Sequence, residues 1–392
     1  MDPILNPYAP GAGTPPPELS GRNELRDKLK ITIARILKDR PAKSMLLVGL
    51  RGVGKTVLLE QMLRDTEEQR IHTIFIEAPE NRSLPAIICP QLRLAMLKLS
   101  RIEKSKEAAI RSLRALAGFV KGLKVTYGDI EVGLDYEEEL GLADNGDLEA
   151  DLTTLFVEVG KTAKAGQTAI ALFIDELQYI KSEQFAALIT ALHRCAQLKL
   201  PVVLVGAGLP QLRGKAGNAK SYAERLFDYP EVGALDKQAA TDALVKPALD
   251  EDVEFDADAI NIIYEKTRGY PYFLQEWGKH SWDVAQQSPI TSKDVLEASE
   301  LAIAAMDESF FRVRFDRLTP KEKNYLYAMA TLGEGPHRSG DIAAVLNKKV
   351  SDVAPVRNNL INKGMLWMPN HGDTSFTVPL FDQFMLRIMP GL

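Results

Sequence analysis

The stretch LLVGLRGVGKTVLLE, residues 46–60, limits what this chain can fold into more than any other part of it. It places Gly49, Gly54, Lys55 and Thr56 in the spacing G-x-x-x-x-G-K-T between two apolar runs. Glycines at these positions let successive backbone N–H groups point at an anion, beside the N-terminus of the following helix. The pattern therefore predicts a phosphate-binding loop that joins a buried parallel strand to a helix.

The side chains that end this loop suit a nucleotide. Lys55 would reach the β- and γ-phosphates, and the Thr56 hydroxyl would bind Mg²⁺. A glycine turn without a ligand is the alternative, but the apolar strand before it and the helical pattern after it favour the phosphate loop. The residues predicted to contact the nucleotide here are Gly49, Gly52, Val53, Gly54, Lys55, Thr56 and Val57.

A second apolar strand, residues 169–176, ends in Asp175 and Glu176. Open α/β sheets bind ligands at the carboxyl ends of their strands, so both acids are expected near the phosphate loop. Asp175 would hold Mg²⁺ through its water shell, and Glu176 would polarise the attacking water. Two acids that merely end a strand are the alternative. Together with the upstream loop, they predict ATP or ADP and Mg²⁺ as ligands, with Glu176 and Lys55 as catalytic groups.

Strands alternate with helical patterns from residue 23 to about residue 230, which indicates a parallel sheet covered by helices on both faces. Alternating apolar residues around Gly128-Asp129 predict a β-hairpin inserted near residues 124–135. The fold class expected is therefore α/β, with the parallel sheet of a P-loop NTPase.

The flanking segments differ from this region. Residues 1–22 are rich in Pro and Gly and are expected to form an extended arm. Residues 231–317 carry helical patterns without strands, as a helical lid would. In residues 318–392, Thr319 and Glu322 form a capping box, and two short helices and a hairpin follow. Three helices with a hairpin of this length predict a winged helix.

Composition restricts the class of protein. The chain has 392 residues, 26% charged and 45% hydrophobic, which leaves room for two or three globular domains. No apolar run approaches the roughly 18 residues that cross a bilayer, and the N-terminus lacks the basic start of a secretory signal. We expect a cytoplasmic protein without membrane contact. Cys89 and Cys195 form no C-x-x-C pair, so neither a disulfide framework nor a zinc site is expected.

Charge is uneven along the chain, although the net charge is only -5. Residues 91–125 hold nine basic side chains against two acidic ones, and residues 129–158 hold eleven acidic side chains and no Lys or Arg. Solvated surfaces are one explanation. The alternatives are that the basic segment contacts a polyanion such as DNA, or that the two segments pair between neighbouring subunits.

GLRGVGKT and LFIDE resemble the Walker A and Walker B motifs of AAA+ and related STAND ATPases. ELSGRNEL is similar to the arm of initiator-like members, and RGYPYFLQEWG resembles the G-x-P lid motif of STAND proteins and archaeal-type ATPases. SYAERLFDYPEVGAL is similar to the segment that carries an arginine finger, which makes Arg225 the candidate finger. The resemblance covers about residues 17–290, and a terminal winged helix also occurs in initiator-like relatives.

Two positions depart from that family pattern. The sensor 1 position, at the end of VVLVGAG, is usually polar, yet Gly206, Ala207 and Gly208 offer only backbone. Where many AAA+ lids place a sensor 2 arginine, this chain has Tyr272. The STAND resemblance implies that the Pro271 backbone takes part in nucleotide binding instead. These departures leave the rate of hydrolysis open.

Three functions fit these motifs. The first is an ATP-hydrolysing switch that oligomerises with nucleotide and acts on DNA or a partner protein. The second is a STAND-type signalling or defence ATPase, in which the C-terminal module is a protein-docking or autoinhibitory element. The third is a nucleotide-binding module that does not hydrolyse ATP.

A winged helix that reads DNA places its third helix in the major groove and its hairpin along the backbone. Residues 319–392 hold eight Lys and Arg against six Asp and Glu, a balance of only +2, and Pro355 falls inside the third helix. Protein docking is therefore an equal alternative. The residues expected to face DNA are Arg357, Asn358, Asn359, Lys363 and His371.

Overall fold

A computed structural model describes residues 1–11, 16, 18–78, 82–124, 126–128, 136–370 and 372–389. The chain divides into two compact units. The sheet unit comprises Arg22–Val48 and Lys55–Glu231, and the helical unit comprises Met1–Gly21, Gly49–Gly54 and Val232–Leu392. The hairpin predicted near residues 124–135 lies outside the described residues, apart from positions 124 and 126–128.

A five-stranded parallel sheet forms the centre of the sheet unit. Its strands are β1 (Ser44–Val48), β2 (His72–Glu77), β3 (Ile170–Asp175), β4 (Val202–Gly208) and β5 (Phe227–Asp228). The strand order is β2-β3-β4-β1-β5, so β4 lies between β1 and β3. Every residue of β1, β3 and β4 is buried. Because successive side chains of a strand point to opposite faces, both faces of the sheet are covered.

The helices of the sheet unit follow the predicted pattern with one break. They are α1 (Asn23–Ile36), α2 (Lys55–Glu68), α3 (Leu84–Leu99), α4 (Lys106–Leu123), α5 (Leu148–Ala165), α6 (Ser182–Gln197), α7 (Leu212–Ala219) and α8 (Ala223–Leu226). The break lies between α3 and α4, two consecutive helices that are joined by a turn at residues 100–105. The buried Ser105 hydroxyl donates to the Leu99 carbonyl at 2.8 Å, which satisfies one of the last acceptors of α3 where the helix ends.

Strand β5 has no counterpart among the sequence predictions. It pairs in parallel with β1 through Ser44 and Met45. Two residues give no periodicity that distinguishes a strand from a loop, so only pairing with β1 defines it.

The helical unit holds helices and a small antiparallel sheet. The helices are α9 (Lys237–Leu249), α10 (Ala257–Thr267), α11 (Pro271–Val284), α12 (Ser292–Met306), α13 (Arg312–Asp316), α14 (Pro320–Thr331), α15 (Ser339–Val345), α16 (Val350–Asn362) and α17 (Phe381–Ile388). The strands are β6 (His337–Arg338), β7 (Leu366–Trp367) and β8 (Asp373–Phe376), in the order β6-β8-β7. The capping box of Thr319 and Glu322 forms at the start of α14, as the sequence predicts.

One hydrophobic cluster runs through the helical unit. It includes Tyr8 of the N-terminal arm, Trp277 of α11 and aromatic residues on both sides of residue 318. The Phe311 ring lies 5.8 Å from the Phe381 ring and 5.2 Å from the Phe384 ring, centroid to centroid. Residues 231–317 and 318–392 therefore share a core, and removal of the second segment would expose aromatic surface on the first. Among the described residues, no helix combines the length and apolar character needed to cross a membrane.

Candidate nucleotide-binding site

The glycine-rich loop, residues 49–54, continues directly from β1 and leads into α2. Gly52 and Gly54 have φ angles of 80° and 83°, in the left-handed region where a Cβ is unfavourable. A Cβ on Gly49 would lie 2.1 Å from the Val232 carbonyl oxygen, so glycine is required there as well. Val53 between them is buried. The glycine spacing seen in the sequence thus has a backbone cause at each position.

This loop is held by contacts inside the helical unit. The Tyr272 N–H donates to the Gly52 carbonyl at 3.2 Å. The Arg51 N–H donates to the Thr377 carbonyl at 3.1 Å, and Arg51 Nε donates to the Gly364 carbonyl at 3.4 Å. The loop therefore contacts the first turn of α11 and both ends of the β7-β8 hairpin.

The start of α2 presents the groups that a phosphate requires. The first N–H groups of a helix have no partners within it, and the positive end of the helix dipole lies at the same place. Lys55 is the first residue of α2 and is only 8% exposed, with Thr56 and Val57 next to it. A buried ammonium group needs nearby negative charge, which phosphate oxygens would supply.

Thr56 and Asp175 meet at the carboxyl edge of the sheet. The Thr56 hydroxyl donates to Asp175 Oδ2 at 2.5 Å. Asp175 ends β3, is 3% exposed, and accepts a second hydrogen bond from the Glu176 N–H at 2.8 Å. Burial raises the pKa of the Asp175 carboxyl, against the opposing effect of these two hydrogen bonds and of the Lys55 charge.

A divalent cation would suit this pair of oxygens. Mg²⁺ prefers hard oxygen ligands, and it usually takes one or two carboxylates from the protein and the rest from phosphates and water. The described residues contain no group of three or more His, Cys, Asp or Glu that could hold a metal unaided. Thr56 and Asp175 therefore fit a metal that arrives with a nucleotide.

Glu176 follows Asp175 in a left-handed conformation, with φ 53° and ψ 36°. This conformation costs a residue with a Cβ roughly 1–2 kcal/mol, and it persists only where the surroundings enforce it. A single 3-10 turn, Leu177–Tyr179, follows at once. Strain of this kind is concentrated at functional sites, and here it falls on the predicted general base.

Gln178, which sequence analysis did not single out, lies in that turn and contacts the Glu176 side chain. Gln178 Nε2 donates to Glu176 Oε2, and Gln178 Oε1 accepts from the Leu209 N–H at 3.2 Å. Leu209 comes directly after β4, so the amide joins the ends of two neighbouring strands. The only feature of the sequence that could have indicated this contact is the position of the glutamine, two residues after the glutamate.

Lys215 of α7 fixes the backbone of the same turn and was also missed. Its Nζ donates to the Gln178 carbonyl at 2.7 Å and to the Ile180 carbonyl. Partial burial lowers the pKa of the Lys215 ammonium group. No residue near position 215 in the sequence hints at this contact, because its acceptors lie more than thirty positions earlier.

Side chains from the turn after β3 occupy the space beside the two glycines at the end of β4. A Cβ on Gly206 would lie 2.1 Å from Leu177 Cδ1, and a Cβ on Gly208 would lie 2.7 Å from Gln178 Oε1. The position that lacks a polar side chain of its own therefore receives the Gln178 amide.

Arg225 and Pro271 are placed as follows. Arg225 lies in the short helix α8 and is exposed. Among the described residues, no side-chain hydrogen bond or ion pair involves its guanidinium group. Pro271 is the first residue of α11 and is half-buried beside Tyr272.

The basic and acidic segments pair within one chain. Arg111 lies 3.6 Å from Glu139 and 3.4 Å from Glu158, and Lys121 contacts Glu138. Part of the basic segment is therefore neutralised by the acidic segment of the same chain, and these contacts need no neighbouring subunit. Arg111 and Lys121 are exposed, so the Arg111–Glu139 and Lys121–Glu138 pairs contribute little to stability, whereas the Glu158 carboxylate is buried.

Two of the cations expected to face DNA form hydrogen bonds within the helical unit. Arg357 is half-buried and its Nη1 donates to Ser339 Oγ at 2.7 Å. Lys363 Nζ donates to Glu322 Oε2 at 2.8 Å, beside the capping box of α14. Both cations therefore have partners inside the helical unit, although the Lys363 side chain remains exposed. Of the other residues expected to face DNA, Asn358 and Asn359 are exposed and His371 lies outside the described residues.

Comparison of the sequence with protein families gives two matches. Residues 18–205 match a family described as an AAA ATPase domain. Residues 308–385 match a domain of unknown function, DUF8462. No curated protein is similar enough in sequence to count as a match.

Comparison with solved structures gives alignments that cover most of this chain. The Walker-type ATPase paby2304 of Pyrococcus abyssi aligns with a TM-score of 0.58 and 17% identity, over 98% of this chain and 100% of that chain. The Aeropyrum pernix ORC1 protein in complex with DNA aligns at 0.47 and 15%, over 96% and 94%. The Thermotoga maritima RuvB K64R mutant aligns at 0.45 and 16%, over 94% and 95%. The first of these agrees with the parallel sheet: the fold is that of a P-loop NTPase.

Proposed function

We propose that the protein is an ATP-hydrolysing switch that oligomerises with nucleotide and acts on DNA or a partner protein. The contact between Thr56 and Asp175 carries this proposal, because it unites the ends of two motifs that are 119 positions apart. The buried Lys55 directly precedes Thr56, and the strained Glu176 directly follows Asp175. An anion site, a metal site and a base are what phosphoryl transfer to water requires.

Each residue has a definite part in this reaction. The Lys55 ammonium group and the first N–H groups of α2 bind the phosphates and offset their charge. The Glu176 carboxylate accepts a proton from water as the water oxygen bonds to the γ-phosphorus. The bond from the γ-phosphorus to its bridging oxygen breaks, and ADP leaves with that electron pair. Bound Mg²⁺ would supply further charge neutralisation of the phosphate oxygens.

Phosphate release from ATP tests this proposal. We expect release that depends on Mg²⁺ and stops when a chelator is added. Nucleotide binding without release would support a non-hydrolysing module instead. Light scattering with a non-hydrolysable ATP analogue tests the switch, since a switch of this kind should become a larger species when the analogue binds.

Arg225→Ala tests whether subunits share a site. A finger arginine from a neighbour stabilises charge on the γ-phosphate only after docking, and such fingers raise rates by about 10³ or more. We therefore expect the variant to keep nucleotide affinity but to lose hydrolysis, measured as phosphate release per subunit across a dilution series.

Arg194→Ala is a matched control, because Arg194 is an exposed arginine whose guanidinium group donates to Gln197 on its own helix. It should leave the rate unchanged. A rate per subunit that stays constant on dilution, in native protein and Arg225→Ala alike, would count against a shared site.

The contacts of Arg51 favour a second candidate, in which the C-terminal segment restrains the nucleotide loop. Arg51 is bonded through its backbone to Thr377 and through its side chain to Gly364. Both partners belong to the segment that the sequence predicts to be a winged helix. In this candidate the segment is a docking module, as in the STAND-type alternative, and loop contacts hold the ATPase at a low rate.

Arg51→Ala tests this restraint without disturbing the shared core. Loss of one hydrogen bond of ordinary strength, about 0.5–1.5 kcal/mol, should raise the basal rate of phosphate release by up to about tenfold. Arg64→Ala, an exposed arginine on α2, is the control. A rate that falls or stays unchanged in Arg51→Ala would contradict the autoinhibitory role.

If duplex DNA is the partner, the basic segment 91–125 is the better candidate surface. Lys98, Arg101, Lys104 and Lys106 are exposed there, whereas Arg357 is half-buried and Lys363 is ion-paired with Glu322. Phosphate contacts of this kind would give weak, sequence-independent binding that decreases steeply with salt.

A further inference from the structure

We propose that Gln178 is a positioning residue that orients the Glu176 carboxylate for proton transfer, in the place of a polar side chain at the end of β4. This inference rests on the proposed ATP hydrolysis. Its basis is the double contact of one amide, which donates to Glu176 Oε2 and accepts from the Leu209 N–H.

The two contacts of the amide have different consequences. The bond to Oε2 stops the carboxylate from rotating freely about its terminal torsion, which is otherwise broad. Among the described residues, Gln178 is the donor to this carboxylate, so Oε1 keeps its lone pairs for a water proton. The bond from Leu209 fixes which end of the amide is the acceptor, and hence which end faces Glu176.

Neighbouring residues restrain both the side chain and the backbone of Gln178. Its amide oxygen lies 2.7 Å from the position that a Cβ of Gly208 would take. Its backbone carbonyl accepts from Lys215, which locks the 3-10 turn from the other side. The same turn places Leu177 over Gly206. Both glycines of β4 are therefore complementary to the residues that follow Glu176.

The position of β4 explains why the amide can act here. β4 lies between β1 and β3, whose ends carry the nucleotide loop and Asp175-Glu176. Any group at the end of β4 is thus next to the Walker B acids at the carboxyl edge of the sheet. An amide anchored at Leu209 reaches Glu176 from this side.

Gln178→Met is the first test, because methionine keeps the length of the side chain and removes both hydrogen bonds. We expect kcat for ATP hydrolysis to fall by about 10- to 100-fold, since misplacement of a catalytic group by about 1 Å has this effect. KM and the affinity for a non-hydrolysable ATP analogue should not change, because Gln178 has no role in nucleotide binding.

Gly208→Ala tests the same contact without altering Gln178. The added Cβ would lie 2.7 Å from the amide oxygen and 3.0 Å from Leu212 Cδ2, both ends of flexible side chains, so the amide is displaced while the fold is kept. The variant should reproduce the lower kcat. The double variant Gly208→Ala with Gln178→Met should have a kcat no lower than that of the slower single variant, because both changes remove the same contact. Gly214→Ala is the control, because a Cβ there meets no atom within 4 Å.

The outcomes separate this inference from the function on which it rests. Native protein that releases no phosphate overturns both. Native hydrolysis that Glu176→Gln abolishes, together with an unchanged or higher kcat in Gln178→Met and Gly208→Ala, overturns the positioning role alone. A further fall in rate when Gln178→Met is added to Glu176→Gln also overturns it, because Gln178 would then act through another group. A loss of thermal stability with weaker analogue binding in Gln178→Met would make the residue structural instead.

Discussion

Lys55→Ala is expected to abolish ATP binding. Lys55 is the ammonium group at the start of α2, and it is almost completely buried. Removing one partner of a buried, hydrogen-bonded charge pair costs about 2–5 kcal/mol, and each 1.4 kcal/mol is a tenfold change in affinity. Binding of a fluorescent ATP analogue should therefore weaken by at least about 30-fold, and phosphate release should stop with it.

Lys43→Ala is the matched control for this variant. Lys43 is exposed and lies 3.8 Å from Asp228, so its loss removes a lysine of equal charge outside the loop. ATP affinity should be unchanged in this control. Thermal unfolding of both variants would show whether the fold is kept. Native affinity in a folded Lys55→Ala protein would mean that the glycine loop does not bind the phosphates.

Glu176→Gln is expected to bind ATP and to release almost no phosphate. The amide has the shape of the carboxylate, and its oxygen can still accept from Gln178, but it cannot take a proton from water. General-base catalysis contributes about 10²- to 10⁴-fold, so single-turnover phosphate release should slow by a factor in this range. The affinity for the ATP analogue should stay native.

Glu107→Gln serves as the control, because it makes the same change at an exposed position of α4. It should hydrolyse ATP at the native rate. Hydrolysis at the native rate by Glu176→Gln would make the assignment of Glu176 as the base wrong. Weaker ATP binding in this variant would instead indicate that the carboxylate supports the nucleotide loop.

The shared core of the helical unit affects how the C-terminal segment can be tested. Phe311 lies before residue 318, and Phe381 and Phe384 lie after it, yet their rings are in contact. Deletion of residues 318–392 would leave such rings exposed to water and would make a change in activity hard to interpret. Single substitutions such as Arg51→Ala avoid this problem.

The sequence predicted those parts of the site that depend on local spacing. A glycine loop between an apolar strand and a helix is formed by residues close in sequence, so Gly49 to Thr56 could be placed from their order alone. Asp175 and Glu176 could be placed because they end an apolar strand, and parallel strands end at one edge. The capping box of α14 was equally local, since its residues are three positions apart.

Other features were not predictable because they depend on which strands are neighbours. Gln178 meets Leu209 only because β4 lies beside β3. In the sequence, the end of β4 lacks a polar side chain. In the structure, Leu177 and Gln178 of the turn after β3 lie beside Gly206 and Gly208 at that end. The ion pair of Lys363 with Glu322 likewise joins residues that are 41 positions apart.

The sequence by itself thus determined the strand and helix on each side of the nucleotide loop, and the two acids at the end of β3. These features follow from backbone conformation and from hydrophobic periods over a few residues. Only the tertiary structure decided which side chain contacts Glu176, which charges are paired, and that residues on both sides of position 318 share a core. The contacts that fix these features, such as Gln178–Leu209 and Lys363–Glu322, join residues more than thirty positions apart, and they arise when strand order and burial bring those residues together.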